Sequence, residues 1–400
     1  MRTLTIFALL LLLVIGGVGA QDEPGTPDVE ATVNALFTAT ANAAANPALQ
    51  ATIDAAFQQA QTATQAALDQ TSPTWTVTPT AGISPTSDTE RLQLVATQMA
   101  VVDGGTFAMG TDAAEVRAAV DLCVTVQNGN CTIAMGEDSA PSHQVTLNAF
   151  QIEITEVTYG QYVAYLNGMG AGSHTNGCGG QRCFLTQAES ENSPVVLQDG
   201  QYTFPEVVRN QPIVHVTWYG AQAYCEALGR RLPTEAEWER AARGSDGRIY
   251  PWGNEWNELL ARTSIPEDGT VGALPISSYP AGASPYGLFD MAGNVAEWVS
   301  DWYSPTYYRL PEASGLNPTG PAAGDQKVVR GGSWDAKPFF ARTVHRQSLP
   351  PSDAGAWLGF RCAADYELQI VPTVPPTIGA SLTPSPAPTL ANTVTPLPTD

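Results

Sequence analysis

The sequence predicts an irregular, loop-rich α+β domain flanked by low-complexity segments, and three observations support this class. The chain has 400 residues with 31 prolines and 36 glycines, which is too many turn formers for continuous regular packing. All six cysteines and every tryptophan except Trp75 fall between residues 95 and 366. Within that region, short helix and strand signals are separated by Gly/Pro/Asp loops, which fits neither a Rossmann fold nor a barrel.

The first twenty residues have the pattern of a secretory signal peptide, assigned to residues 1–20. Arg2 precedes a mainly apolar run from Leu4 to Gly17, and small residues end the segment at Ala20. A retained single-pass membrane anchor is the alternative, because the run is only slightly shorter than a span of about 20 residues. We therefore expect a secreted or cell-surface protein in an extracytoplasmic environment, where disulfides persist.

Residues 21–94 are predicted to form an Ala/Thr-rich helical stalk followed by a Pro/Thr linker. The segment Ala31–Phe37 recurs as Ala51–Phe57, and apolar residues after Leu49 recur at steps of three and four. A low-complexity spacer with partial helicity is the alternative, because half of this apolar stripe is alanine. Residues 367–400 are also Pro/Thr-rich and are expected to form a disordered tail.

The charge balance excludes nucleic acid as a partner. The chain has 39 Asp and Glu against 18 Lys and Arg, a net charge of −21, and its only lysines are Lys327 and Lys337. A nucleic-acid binder needs a Lys/Arg surface that displaces counterions, and this chain has too few basic residues to build one. An anionic membrane surface is disfavoured for the same reason, so membrane contact is expected only if the N-terminal segment is retained as an anchor.

Three short helices are predicted inside the domain by the residues at their ends. Thr158 and Thr234 each open a helix as part of a capping box, with Gln161 and Glu237 three residues later. Thr217 begins the helix between them. The predicted ends are Asn167–Gly168, Gly229 and Gly244.

Strand signals lie on both sides of these helices. Apolar residues alternate from Val145 to Ile154 around a break near Asn148–Ala149, which predicts two short strands. Val328–Val329 predicts a further strand that ends at Gly331.

The cysteine spacing predicts two short-loop disulfides, Cys123–Cys131 and Cys178–Cys183. Each pair brackets a short polar loop, and secretion favours oxidised cysteines. Cys225 and Cys362 are interpreted as buried small hydrophobic residues, and pairing between them stays open.

Six strings in the domain resemble one family, the formylglycine-generating enzymes, also called sulfatase-modifying factors. The strings are Pro212–Trp218, Arg231–Gly244, Tyr250–Asn254, Tyr286–Trp298, Arg330–Trp334 and Gly359–Ala364. The resemblance covers residues 95–366 in the order that the family has. It implies a fold related to C-type lectins and an oxidase activity that converts a substrate cysteine to formylglycine.

The resemblance implies a copper centre, and this sequence departs from it. Active members hold Cu(I) with two cysteines just after the Gly-Gly-Ser-aromatic string, and the matching positions here are Ala336 and Ala341. Cu(I) selects soft thiolate ligands, and alanine has no ligand atom. We therefore expect no copper and no catalytic residue at these positions.

The resemblance also implies structural calcium. The first site maps onto Asp290, Gly293, Val295 and Glu297. Two carboxylates and two backbone carbonyls suit Ca²⁺, although the carboxylates of Asp290 and Glu297 alternatively only cap backbone amides. A second family site maps onto Asp268 and the Thr270 carbonyl, with Arg262 where an asparagine ligand is expected.

A candidate groove for an extended peptide surrounds the positions that match the copper ligands. Its predicted lining is Trp298, Ser333, Trp334, Asp335, Arg342 and His345. An aromatic floor with several hydrogen-bond donors suits a peptide ligand. The alternative is that the arginines bond to loop carbonyls and hold the loop together.

The sequence therefore predicts a secreted, calcium-stabilised, non-catalytic module that binds a peptide or protein. The alternative is an oxidoreductase of the formylglycine-generating type, which oxidises a protein cysteine with ligands other than the missing thiolates. Metal content distinguishes the two, since the module holds calcium without copper or iron.

Overall fold

The computed structural model describes residues 96–264 and 271–366. The predicted signal peptide, the predicted stalk and linker, and the predicted tail all lie outside the described residues. Within the described ranges there are four α-helices and twelve short strands, joined by long loops and 3-10 turns. No helix in these ranges has the length and apolar character needed to cross a bilayer.

The elements are short, and the sheets they form are small. The helices are α1 (Ala113–Thr125), α2 (Tyr159–Met169), α3 (Trp218–Ala227) and α4 (Glu235–Arg243). The strands are β1 (Met99–Val102), β2 (Gly105–Met109), β3 (His143–Leu147), β4 (Phe150–Glu153), β5 (Val196–Gln198), β6 (Gln201–Thr203), β7 (Ala296–Trp302), β8 (Gly315–Leu316), β9 (Lys327–Arg330), β10 (Gln347–Leu349), β11 (Leu358–Phe360) and β12 (Ala363–Asp365). The sheet orders are β1-β4-β12, β10-β9-β7-β11, β2-β3-β8 and β5-β6. This arrangement confirms the predicted irregular α+β class.

The four-stranded sheet lies between the two large apolar clusters of the core. β9 is antiparallel to β7 and β11 is parallel to it. Trp298 and Val329 belong to the cluster that includes α2 and α3. Their chain neighbours Val299 and Val328 belong to the cluster that includes α4 and β1 to β4. Successive strand residues point to opposite faces, so this sheet buries both of its faces.

The three predicted helices begin at the predicted residues. Thr158 and Thr234 each form a complete capping box, and the Thr217 hydroxyl accepts a hydrogen bond from the N–H of Gly220 at 3.1 Å. α2 continues past its predicted end to Met169, because Gly170 supplies the positive φ of +96° that stops it. The sequence thus located the helix starts correctly and placed one end too early.

Helix α1 is absent from the predicted set. The Asp112 carboxylate caps it, accepting hydrogen bonds from the N–H groups of Ala114 and Glu115 at 2.7 and 2.9 Å. Only Val116 and Cys123 of this helix are buried, so its apolar periodicity is weak. The capping aspartate was the signal that could have revealed it.

Three disulfides connect the domain, and all six cysteines of the chain take part. The two predicted short-loop pairs, Cys123–Cys131 and Cys178–Cys183, are confirmed. Cys225 and Cys362, whose pairing the sequence left open, form the third disulfide across a separation of 137 residues. Both residues are buried, as expected, and they pair because the fold packs α3 against the segment between β11 and β12, a proximity that the sequence does not reveal.

Removing the long-range disulfide should destabilise the domain more than removing a short one. In the chain-entropy description, closing the Cys225–Cys362 loop contributes about 5 kcal/mol and the Cys178–Cys183 loop about 2 kcal/mol. We expect Cys225→Ala/Cys362→Ala to lower the urea midpoint about twice as far as Cys178→Ala/Cys183→Ala. Equal losses in equilibrium unfolding would contradict the long-range constraint.

Candidate functional site

The loop Gly331–Arg346, called the 331–346 loop below, carries the positions that match the family's copper ligands. It begins where β9 ends, and Gly331 and Gly332 both have left-handed backbone, with φ of +93° and +68°. A Cβ on Gly332 would lie 2.8 Å from the carbonyl carbon and oxygen of Phe340. Glycine is therefore required here, since the loop folds back onto its own start.

Ala336 and Ala341 give this loop an apolar centre. The Ala341 side chain is fully buried in a small cluster with Ala261 and Ala292, against which Trp252 and Trp256 pack. Ala336 is half-buried, and its backbone carbonyl accepts a hydrogen bond from the N–H of Ser264 at 3.0 Å. Neither alanine has a ligand atom, and the disulfides leave no thiol elsewhere in the chain. The residues present do not fit a Cu(I) ion.

The predicted peptide groove is wrong for Trp298, Arg342 and His345, which are 0, 1 and 2 % exposed. Arg342 donates to the Phe339 carbonyl at 3.0 Å and to the Glu115 carboxylate at 3.0 Å. The alternative that arginines bond to loop carbonyls is therefore the correct one for Arg342.

The His345 side chain is enclosed by aromatic residues and is not accessible to a ligand. Its ring lies edge-on to Phe339 and Phe340, with centroid distances of 5.1 and 4.9 Å. Burial and the neighbouring Arg342, Arg330 and Arg346 guanidinium groups hold its pKa well below the ordinary value. The imidazole is neutral and packs as an aromatic residue.

Ser333, Trp334 and Asp335 are the part of the predicted groove nearest the surface. Asp335 is exposed, and Trp334 is half-buried with its indole N–H donating to the Ala356 carbonyl at 3.1 Å. Ser333 is buried and donates to the Asp335 carboxylate at 2.6 Å. Trp334 and Asp335 are therefore the residues of the predicted groove that remain accessible at the surface.

Helix α1 and its disulfide cover the other side of the 331–346 loop. Cys123, Cys131 and Phe339 form one buried cluster, with Phe340 packed against it. A Cβ on Gly136 would lie 3.1 Å from the ring of Phe339. The Cys123–Cys131 disulfide thus packs directly against the Phe339 part of the loop.

Two buried arginines join the ends of the 331–346 loop to helix α4. Arg330 donates to Glu235 at 3.1 Å and to Glu239 at 2.7 Å, and it also donates to the Thr343 carbonyl at 2.6 Å. Arg346 donates to both carboxylate oxygens of Glu235, at 2.7 and 3.0 Å. Burial opposes ionisation of Glu235, but the two guanidinium groups outweigh it and lower its pKa. The pairs are therefore charged within the core.

The first predicted calcium site lies in a buried cluster of carboxylates. Glu297 accepts from Arg361 at 2.7 and 2.8 Å and from the Trp238 indole at 2.9 Å. The Asp290 carboxylate accepts from the N–H of Ser277 at 2.7 Å, and burial raises its pKa to about 6. The amide-capping alternative thus describes one oxygen of Asp290, whereas Glu297 pairs with a guanidinium.

Glu156 is a third carboxylate in this cluster that sequence reasoning missed. It is fully buried and accepts from the Asn294 side chain at 2.9 Å and from the N–H of Val295 at 3.2 Å. Burial and the neighbouring Asp290 and Glu297 carboxylates raise its pKa well above the ordinary value. Nothing in the local pattern around Glu156 placed it here, because the contact spans 138 residues.

The ligand atoms in this cluster are of the kind that a hard cation such as Ca²⁺ prefers. The cluster offers oxygen ligands, and three carboxylates face a single guanidinium, that of Arg361. Among the described residues, no three His, Cys, Asp or Glu side chains are placed to hold a metal ion by themselves. Calcium would therefore need the backbone carbonyls of Gly293 and Val295 as well. The second predicted site, Asp268 and Thr270, lies outside the described residues.

The fold and the altered loop define a sulfatase-modifying-factor domain without its copper ligands, and comparison with known proteins agrees. Residues 85–366 match the sulfatase-modifying factor enzyme 1-like domain. A formylglycine-generating enzyme of Streptomyces coelicolor is 35 % identical over 266 residues, which cover 58 % of this chain and 83 % of that protein. The chain belongs to the formylglycine-generating enzyme family.

Two further relatives differ from that enzyme in name or in length. A protein of Chlamydia pneumoniae named serine/threonine-protein kinase pkn1 is 33 % identical over 272 residues, which cover 68 % of this chain and 38 % of the relative. The inactive Cα-formylglycine-generating enzyme 2 of Mus musculus is 29 % identical over 324 residues, covering 68 % of this chain and 89 % of the relative. The chain thus spans about two fifths of the chlamydial relative.

Stability should depend on pH through Asp301, which lies beside the start of α4. It accepts from the N–H of Glu235 at 2.9 Å, and burial together with the Glu235 carboxylate raises its pKa from 3.8 to about 7. The folded state holds this proton where the unfolded state has lost it, so stability is complete below about pH 4 and falls until about pH 7. Asp301→Asn should remove about 3–4 kcal/mol of that fall.

Urea unfolding of wild type and Asp301→Asn at pH 4.5, 6 and 7.5 measures this contribution. Other buried carboxylates titrate in both proteins, so the difference between the two slopes isolates Asp301. Parallel stability curves would show that this carboxyl does not titrate above its unfolded value.

Proposed function

We propose that the protein is a non-catalytic, extracytoplasmic member of the family that binds a peptide or protein ligand. The observation that carries this proposal is the state of its thiols. All six cysteines are paired, and Ala336 and Ala341 stand where the copper ligands are expected. Cu(I) chemistry of the family's type needs thiolate ligands that this chain lacks.

Two further points support the proposal. The mouse relative named as inactive is a precedent for a family member that keeps the domain without the activity. Three disulfides are expected in an oxidising compartment, which supports a location outside the cytoplasm.

The ligand would contact the surface formed by Trp334 and Asp335. The hydrogen bond from the indole to Ala356 holds the ring in place, so binding would cost little side-chain entropy. Asp335 adds an exposed negative charge at the residue that follows Trp334, which favours a peptide with a basic or polar side chain.

We further propose that calcium stabilises the domain through Asp290, Glu297 and the carbonyls of Gly293 and Val295. Three buried carboxyl groups lie beside one guanidinium, and a divalent cation would favour the ionised forms of Asp290 and Glu156, whose pKa values are raised by burial. Glu297 already pairs with Arg361, so Asp290 is the side chain whose removal tests the ion without breaking an ion pair.

The purified domain should not convert the cysteine of a sulfatase-type peptide to an aldehyde. We expect no product above a no-enzyme control, with or without Cu(I), because no thiolate is present to bind the ion. Aldehyde-specific labelling followed by mass spectrometry measures the product, with the Streptomyces coelicolor enzyme as the positive control. Stoichiometric aldehyde formation would instead support the oxidoreductase alternative with other ligands.

Chelation should lower the melting temperature of the wild-type protein and leave Asp290→Asn unchanged. Free Ca²⁺ at a hundred times its Kd contributes about 2.7 kcal/mol, or about 5–10 °C for a domain of this size. Calorimetry with Ca²⁺, Mg²⁺ and chelator measures the shift. Glu297→Gln is the contrasting variant and should be destabilised under all three conditions, because it removes the partner of Arg361. An equal effect of Mg²⁺, or an unchanged response in Asp290→Asn, would count against a specific calcium site.

A further inference from the structure

A cavity of about 620 Å³ lies apart from the 331–346 loop. It is bordered by the β3–β4 turn, one face of α3, the segment leading into α4, the start of β9 and the end of β12. Its volume is in the range of small-molecule sites in proteins. In the described part of the chain, no residue of the 331–346 loop lines it. It is therefore a second candidate site, independent of the surface around Trp334.

One wall of the cavity is a fixed face of helix α3. Trp218, Gln222 and Glu226 follow one another at intervals of four residues and so point to the same side of the helix. The Trp218 indole N–H donates to the Val299 carbonyl at 2.8 Å, and the Gln222 amide donates to Glu226 at 2.6 Å. The wall thus runs from a half-buried aromatic ring to an exposed carboxylate.

The two basic side chains that line the cavity already donate hydrogen bonds to carboxylates or carbonyls of the protein. Arg231 donates to Glu237 at 2.6 and 2.7 Å and to Asp365 at 2.7 and 3.0 Å. Lys327 donates to the Ser300 carbonyl at 2.7 Å, and its ammonium lies 3.9 Å from the ring centroid of Trp218. Each cation is held on several sides, so an anionic ligand would find no guanidinium or ammonium directed at it.

The lining that is left is acidic and polar. The wall contains the acids Glu226, Glu237 and Asp365 against the bases Arg231 and Lys327, an excess of one negative charge. The Asp365 side chain is 84 % exposed. Neutral amide and hydroxyl side chains complete the wall, namely Asn148, Asn317 and Thr319. These groups accept hydrogen bonds from an amine and offset its charge.

We propose that this cavity binds an alkylammonium or guanidinium cation, with Glu226 as its main counter-charge and with the second carboxylate oxygen of Asp365 beside it, since both Arg231 bonds go to the first oxygen. Trp218 and Tyr366 provide apolar surface for the aliphatic part of such a ligand. A free polyamine and the Lys or Arg side chain of a peptide share this chemistry. The strongly acidic chain, with a net charge of −21, would attract either one.

Calorimetric titration of the full secreted chain tests the proposal with three probes. The probes are spermidine, an end-blocked Gly-Lys-Gly peptide, and the same peptide with norleucine in place of lysine. We expect saturable binding of the two cations, weakened by added salt, and none of the norleucine peptide. The tighter of the two cations identifies the source, a free amine or a peptide side chain.

Two variants make the test specific to the cavity. Glu226→Gln should weaken binding about tenfold, as loss of one charge-assisted hydrogen bond does, and Glu226→Lys should abolish it. Glu258→Gln, an exposed acid outside the cavity, removes the same charge and should leave affinity unchanged. Unchanged melting temperatures show that the variants fold. Absent binding of both cations, or equal weakening by Glu258→Gln, would overturn the site.

Discussion

The buried ion pairs of Arg330 with Glu235 and Glu239 are the constraint on which the rest of the domain depends. All nine residues of α4 are buried, including its charged ones, so the helix is stable in the core only if its carboxylates find partners. Arg330 supplies a partner for Glu235 and Glu239 from the end of β9, and it also donates to the Thr343 and Val344 carbonyls. One guanidinium therefore joins a helix, a central strand and the returning 331–346 loop, and loss of one partner would leave a buried charge costing about 3–5 kcal/mol.

This arrangement explains how the fold persists without the family's copper ligands. The loop is held by glycine backbone, arginine–carbonyl bonds and the α1 disulfide, none of which needs a thiolate. Ala341 packs among other small apolar residues under Trp252 and Trp256. Alanine at that position leaves no buried polar atom without a partner, so the replacement adds no desolvation cost. The geometry of this loop thus does not depend on thiolate ligands.

The sequence correctly predicted the features that local signals determine, such as helix starts, and the family that whole strings of residues indicate. The caps at Thr158, Thr217 and Thr234 located three helix starts, because a capping hydroxyl acts within one turn. Prediction from the sequence failed for residues whose role depends on their burial in the folded domain. From the sequence alone, Arg342 resembles an exposed hydrogen-bond donor. It is buried only because α1 packs onto the loop and places Glu115 beside it. Glu156 and the Cys225–Cys362 pair depend on contacts across more than a hundred residues, which no local pattern encodes.

The distribution of charge connects the interior with the surface. The arginines of the core, Arg330, Arg342, Arg346 and Arg361, are at most 3 % exposed, and they point at carboxylates and carbonyls inside the domain. Few basic side chains are then left to balance the acids outside. The surface of the described residues is therefore more acidic than their interior, although Arg209, Arg231 and Arg248 each pair with an exposed acid. An acidic surface favours cationic over anionic ligands, so the use of arginine inside the fold also affects the electrostatics of the outer surface.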